Sequence, residues 1–152
     1  MDPSKKPKQI KVVEKSKLPQ EENRHDSFYS LQVSFSFRKY DANAPWSTSS
    51  NLKPTVDSVF SNLRGVEGAT WGSLISSGSG KNKGNKSHYV PVNKLSSNAI
   101  NRINDIRLEE DSLFSLRIQS DVRLWGIIEP KNGCFYIIWF DPEHQVYTVN
   151  KR

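Results

Sequence analysis

The sequence has one cysteine and no long apolar run among its 152 residues, and each scarcity excludes a class of protein. A lone cysteine, Cys134, cannot form an intramolecular disulfide, and its place inside an apolar run predicts a buried structural thiol rather than a nucleophile. No apolar stretch approaches the roughly 20 residues of a membrane-spanning helix, and we expect no signal peptide at the start of the chain. We therefore expect a cytoplasmic protein that does not bind a membrane.

Apolar side chains are also scarce at the start of the chain. Seven basic and five acidic residues leave residues 1–26 with a net charge of only +2. The sizeable aliphatic side chains before Phe28 are Ile10, Val12, Val13 and Leu18. These few apolar side chains cannot offset the conformational entropy that the segment would lose on ordering. We therefore predict a disordered basic and polar tail, followed by one domain over residues 27–152. The tail acts either as an electrostatic arm for nucleic acid or as a solvated leader.

Acidic residues are absent from Gly68 to Asn104, where five basic residues occur. Residues 76–88 of this range form a predicted flexible loop whose lysines would hold RNA phosphates loosely and without sequence preference: Lys81, Lys83 and Lys86. A solvated surface loop is the alternative. A nucleotide-binding loop is excluded, because Ile75 stands where its first glycine belongs and Asn82 where its hydroxyl residue belongs. The net charge of the whole chain, +6, favours polyanionic partners.

Periodicity predicts an α+β fold. Residues 28–40 alternate apolar and polar side chains as a strand does, and apolar residues recur at helical spacing from Val56 to Leu63, with Gly65 as the expected end of that helix. Thr70 begins a further helical turn, and Ser96 is placed to cap a helix that runs to about Arg107. Three β-rich runs then fill residues 113–149. The expected fold is a single twisted, mainly antiparallel sheet with helices packed on one face.

Two registers are open for the hairpin between the first two of these runs. A two-residue turn at Ser120 and Asp121 would send Arg117 and Arg123 to opposite faces and bury one guanidinium. A loop one residue longer pairs the two arginines on one face beside Trp125, where the indole could contact RNA. Because burying an unpaired guanidinium is costly, we favour the second register. The alternative role for the two arginines is ion pairing with local acids: Asp121, Glu129 or Asp141.

A histidine and a tyrosine follow the third run. The Asp141-Pro142 pair ends the strand, and His144 and Tyr147 come next, at the rim of the predicted sheet. Two arginines, a histidine and a tyrosine at one sheet edge suit phosphodiester chemistry. Arginines stabilise the charge of the transition state, and a histidine can donate or accept a proton near neutral pH. One histidine beside a buried cysteine makes no ligand cluster, so we expect no metal and no cofactor.

Residues 95–147 resemble the C-terminal half of the RelE/YoeB/ParE-type toxins of bacterial toxin–antitoxin systems. The resemblance rests on two motifs, Val122-Arg123-Leu124 and His144-Gln145-Val146-Tyr147, and on the place of Arg117 in the preceding strand. It implies a RelE-like fold, and Arg123 and Arg117 as cations that hold the phosphate. It also implies His144 as general acid or base and Tyr147 as a substrate-orienting group.

The resemblance implies an endoribonuclease that cleaves mRNA without a metal, in association with the ribosome, and that is held by an acidic antitoxin protein. The alternative is a protein of the same fold without catalysis. Such a protein would bind another protein, as ParE-type toxins do, or would bind nucleic acid as an accessory factor.

Overall fold

The computed structural model describes residues 28–47, 52–76 and 87–148. The expected tail at residues 1–26 and the three loop lysines Lys81, Lys83 and Lys86 lie outside the described residues. In chain order the elements are β1 (Ser34–Ser36), α1 (Leu52–Val66), α2 (Trp71–Ser76), β2 (His88–Pro91), a 3-10 turn (Val92–Lys94), α3 (Ser97–Asp105), β3 (Ser112–Gln119), β4 (Val122–Ile128) and β5 (Cys134–Asp141).

The five strands form one sheet in the order β1-β5-β4-β3-β2. Strands β2 to β5 pair antiparallel, and β1 lies parallel to β5 at one edge. The predicted α+β class and the mainly antiparallel sheet are therefore confirmed. None of the described helices combines the length and the hydropathy that a membrane span requires.

Helices cover both faces of this sheet, so the expectation of helices on a single face is wrong. On one face, here called the α1 face, Val59 and Leu63 of α1 and Trp71 of α2 pack against residues such as Phe114. On the other face, here called the α3 face, α3 packs against side chains that alternate along the strands with those of the α1 face. In β3, for example, Leu113 lies on the α3 face and its neighbour Phe114 lies on the α1 face. The central strands carry apolar side chains on both sides, and a sheet of that kind needs cover on both.

An ion pair fastens α3 to the sheet. The guanidinium of Arg102 donates to both carboxylate oxygens of Asp41, over 2.7 and 2.6 Å, and the Trp139 indole N–H donates to the same carboxylate over 2.9 Å. These hydrogen bonds, above all the one from Arg102, hold the pKa of Asp41 below its ordinary value against the effect of burial. The predicted cap is confirmed, since the Ser96 hydroxyl accepts the Ala99 N–H.

Two expected boundaries differ from the structure. Strand β1 begins only at Ser34, because the preceding backbone pairs with the segment after α1: the Val33 N–H donates to the Ala69 carbonyl over 2.7 Å. Helix α1 continues past Gly65, and the left-handed glycine that follows it is Gly68, with φ at 88°. Cys134 is only partly buried rather than buried as expected.

The β4–β5 hairpin has the predicted Asn-Gly turn. Gly133 has a φ of 75°, and the Asn132 side chain accepts the Cys134 N–H over 2.9 Å. The Gly133 carbonyl in turn accepts the indole N–H of buried Trp71 over 2.7 Å. The turn therefore fixes α2 against the end of the hairpin.

Gly126 in β4 allows two backbones to approach closely. The ladder shifts register there, and a Cβ at this position would collide with the Tyr136 carbonyl oxygen and lie 2.9 Å from the Phe135 ring.

We expect Gly126→Ala to lower the free energy of unfolding by about 3 kcal/mol, because the backbone must move. Gly65→Ala is the matched control: its Cβ meets nothing within 4 Å, and we expect a gain of about 0.5–1 kcal/mol in the same urea titration. Equal stability of the two variants would contradict the packing at Gly126.

Candidate functional site

Arg117 and Arg123 lie directly opposite each other in the β3–β4 ladder, as predicted. The turn between the strands is the short one at Ser120 and Asp121, and a register shift between Arg117 and Gln119 restores the pairing of the two arginines. Ser120 takes a φ of 38° in this turn. The structure therefore combines the shorter turn of one expected register with the arginine pairing of the other.

The expected exposure of this face is only partly correct. Arg117 is exposed, whereas 5% of Arg123 and 1% of Trp125 remain accessible, so the prediction that both face solvent is wrong. The physical reason is α3 and the segment around Trp46, which close over Trp125 from distant parts of the chain. Without rearrangement, Trp125 cannot contact RNA.

Neither arginine forms an ion pair among the described residues. In the ranges that the structure describes, neither Arg117 nor Arg123 comes within ion-pair distance of an acidic side chain, although two of the expected acids, Asp121 and Asp141, act on Arg123 from further away. Arg123 instead donates to the carbonyl oxygens of Ser120 and Val122. Burial and, next to it, repulsion from Arg117 lower the pKa of Arg123 by more than these two acids raise it. Like charges directly opposite in a ladder are destabilising, so the Arg117–Arg123 pair lowers the stability of the fold.

Asp141 is the site residue that the motifs did not reveal. It lies opposite Arg123 in the β4–β5 ladder and is fully buried. Its carboxylate accepts the backbone N–H groups of Gln145 and Val146 over 2.8 and 3.0 Å and the Trp125 indole N–H over 3.3 Å. Burial nevertheless raises its pKa, because desolvation outweighs these bonds. In the sequence, the position of Asp141 before Pro142 predicts a turn. It does not reveal that the Asp141 carboxylate accepts the backbone hydrogen bonds of that turn.

His144 lies inside the loop that Asp141 holds. It is half-buried and has a φ of 59°, and it lies close enough to Asp141 to lower the pKa of that carboxyl slightly against the effect of burial. Tyr147 is also half-buried and sets its ring edge-on to Trp125, with 6.5 Å between centroids. The structure thus brings Arg117, Arg123 and the loop of His144 into one row across β3, β4 and β5, with Tyr147 beside the neighbouring tryptophan.

Of the predicted site residues in this row, Arg117 is exposed and His144 is half-buried. A cation and an imidazole at one sheet end can hold a phosphate and exchange a proton with a substrate oxygen. The backbone position of Arg117 is fixed, since its N–H donates to the buried Ser87 hydroxyl over 2.8 Å. Among the described residues, no group of three or more His, Cys, Asp or Glu side chains is placed to bind a metal ion.

Removing one charge of the arginine pair should stabilise the fold. We expect Arg117→Gln to raise the free energy of unfolding by about 0.5 kcal/mol, because it ends the repulsion on Arg123 and leaves the backbone bond to Ser87 intact. Urea titrations at low and high salt measure the effect, which should shrink as salt screens the pair. Lys131→Gln, at an exposed turn, is the control and should change neither value. A less stable Arg117→Gln variant would show that the pair is not repulsive.

Comparisons with protein-family models, with curated proteins and with solved structures find no match for this chain.

Proposed function

We propose that this protein is a RelE-like endoribonuclease that cleaves mRNA without a metal, in the cytoplasm and in association with the ribosome. The observation that supports the proposal is the arginine pair, two opposed cations without a carboxylate ion pair. A fold retains such repulsion most readily where an anion completes the site. The phosphate of an RNA backbone is an anion of suitable charge and geometry for guanidinium groups.

The roles follow from accessibility. Arg117 is exposed and would contact the scissile phosphate directly. Arg123 lies beside it on the neighbouring strand, is buried, and would add positive potential, which a low-dielectric setting strengthens. His144 would donate or accept the proton of a substrate oxygen, and Tyr147 would orient the substrate from the adjoining row.

Charge distribution supports an extended RNA contact. Ten basic and eleven acidic residues give the described ranges a net charge of −1, so the excess of +7 that makes the chain basic lies in residues 1–27, 77–86 and 149–152. On this proposal Lys81, Lys83 and Lys86 hold RNA by charge alone, while the arginine pair positions one phosphate. An acidic antitoxin protein would be a natural partner for a chain with this charge.

The second candidate is a protein of the same RelE-like fold that binds nucleic acid or another protein without cleaving RNA. One observation favours it: Arg123 and Asp141 are buried and bonded to backbone or indole groups. Of the candidate residues, Arg117 is then exposed, and His144 and Tyr147 are partly accessible for chemistry. Binding needs no general acid, so His144 would be dispensable.

The test is cleavage of a reporter mRNA by the purified full chain with ribosomes. We expect Arg117→Ala and His144→Ala to lower the cleavage rate about a hundredfold or more, the size of effect that general acid–base catalysis and phosphate contacts support. Lys131→Ala is the exposed-cation control and should cleave at the parent rate.

Each outcome assigns a function. Loss of cleavage in both variants, with RNA binding retained in His144→Ala, supports the endoribonuclease. Unchanged cleavage in both would refute the assigned site. RNA binding by the parent chain without any cleavage would favour the second candidate.

A further inference from the structure

We propose that a cleft on the α1 face is a docking site for another protein, which inserts one large apolar side chain flanked by acidic residues. The cleft lies between α1 and the turn that follows β1, with Leu124 and Ile137 of the sheet in its lining. Leu124 is the neighbour of Arg123 in β4 and packs on the opposite face. This inference is therefore independent of the proposed ribonuclease site.

Exposed apolar side chains are concentrated at this cleft. In the part of the chain that the structure describes, the large hydrophobic residues with high exposure are Phe37 at 58%, Phe60 at 61% and Tyr40 at 38%. All three line the cleft. Single exposed apolar residues are ordinary, but a contiguous group around a concave surface is typical of an interaction site.

Phe60 is the clearest case. It lies on α1 between Val59 and Leu63, which are buried, so the helix already has its core contacts without it. Helical spacing alone predicts Phe60 as a core residue, yet its ring faces solvent. A phenylalanine that contributes little to the core is available for a partner, since aromatic side chains are frequent interface anchors.

The size of the cleft fits one side chain. Its volume is about 190 Å³ and its lining is almost wholly apolar. A cavity of about 150 Å³ is enough to hold a benzene ring, so a phenylalanine or leucine side chain of a partner fits here. The apolar lining offers few hydrogen-bonding groups to an RNA base, which favours a protein segment over nucleic acid.

The surrounding charge indicates an acidic partner. Arg38 is exposed next to Phe37, and Arg64 is exposed on α1 next to Leu63, whereas the Lys39 ammonium lies over the Tyr136 ring, 5.2 Å from its centroid. The nearby acids are largely neutralised, since Asp57 pairs with Lys53 over 3.1 Å and Asp41 pairs with Arg102. Glu67 is the remaining carboxylate at this end of α1. The rim is therefore net positive, and complementary potential selects segments that carry Asp or Glu.

Selection from a displayed library of random dodecapeptides on the full chain tests the proposal. We expect enriched peptides to contain a large apolar residue with Asp or Glu on both sides. For a synthetic peptide of the enriched sequence, Phe60→Ser should weaken binding about tenfold or more, because it removes an anchor contact. The double reversal Arg38→Glu with Arg64→Glu should weaken it severalfold, and the effect should fade with added salt.

Controls separate this surface from the rest of the protein. Lys131→Glu, a charge reversal at the β4–β5 turn, should leave peptide binding unchanged. Phe60→Ser should leave reporter mRNA cleavage and the urea midpoint at the parent values, because Phe60 is exposed and lies away from the arginine pair. Enrichment of peptides that bind Phe60→Ser as well as the parent, enrichment without acidic residues, or no enrichment would each refute the proposal. Dimerisation of the parent that Phe60→Ser abolishes would refute it in favour of self-association.

Discussion

Two tryptophans that pair directly across β4 and β5 donate their indole N–H groups to two buried carboxylates, and the α3 face depends on these contacts. Trp139 donates to Asp41 over 2.9 Å, and Trp125 donates to Asp141 over 3.3 Å. Burying a carboxylate without such donors would lower the stability of the fold by several kcal/mol. Each indole N–H therefore offsets part of the cost of desolvating its carboxylate. The two carboxylates in turn hold the segments that close over the sheet.

The two carboxylates differ in how their charge is met. Asp41 has a full counter-charge in Arg102, and its pKa is lowered. Asp141 has backbone and indole donors but no ion pair among the described residues, and its pKa is raised. Arg102 thus neutralises Asp41, whereas Arg117, Arg123 and Asp141, in one row on the same sheet face, form no ion pair among the described residues. This difference makes the row the candidate site for an anionic substrate.

Local features could be predicted from the sequence, and long-range burial could not. The Ser96 cap, the turn at Asn132 and Gly133 and the opposition of Arg117 and Arg123 each depend on neighbouring residues or on one hairpin. The burial of Trp125 depends on α3 and on the segment around Trp46. Period-2 alternation within β4 does not reveal contacts with such distant parts of the chain. The function of Asp141 as an acceptor depends likewise on where the loop of His144 returns.

NMR can show directly whether the arginine pair binds an RNA phosphate. Nitrogen-15 NMR of the arginine side chains in the full chain, titrated with a short RNA whose 2′-O-methyl groups block cleavage, follows each guanidinium separately. We expect a shift of the Arg117 Nε–H resonance that saturates with the RNA and is accompanied by a shift at His144. RNA binding that leaves both resonances unmoved would contradict the proposed site.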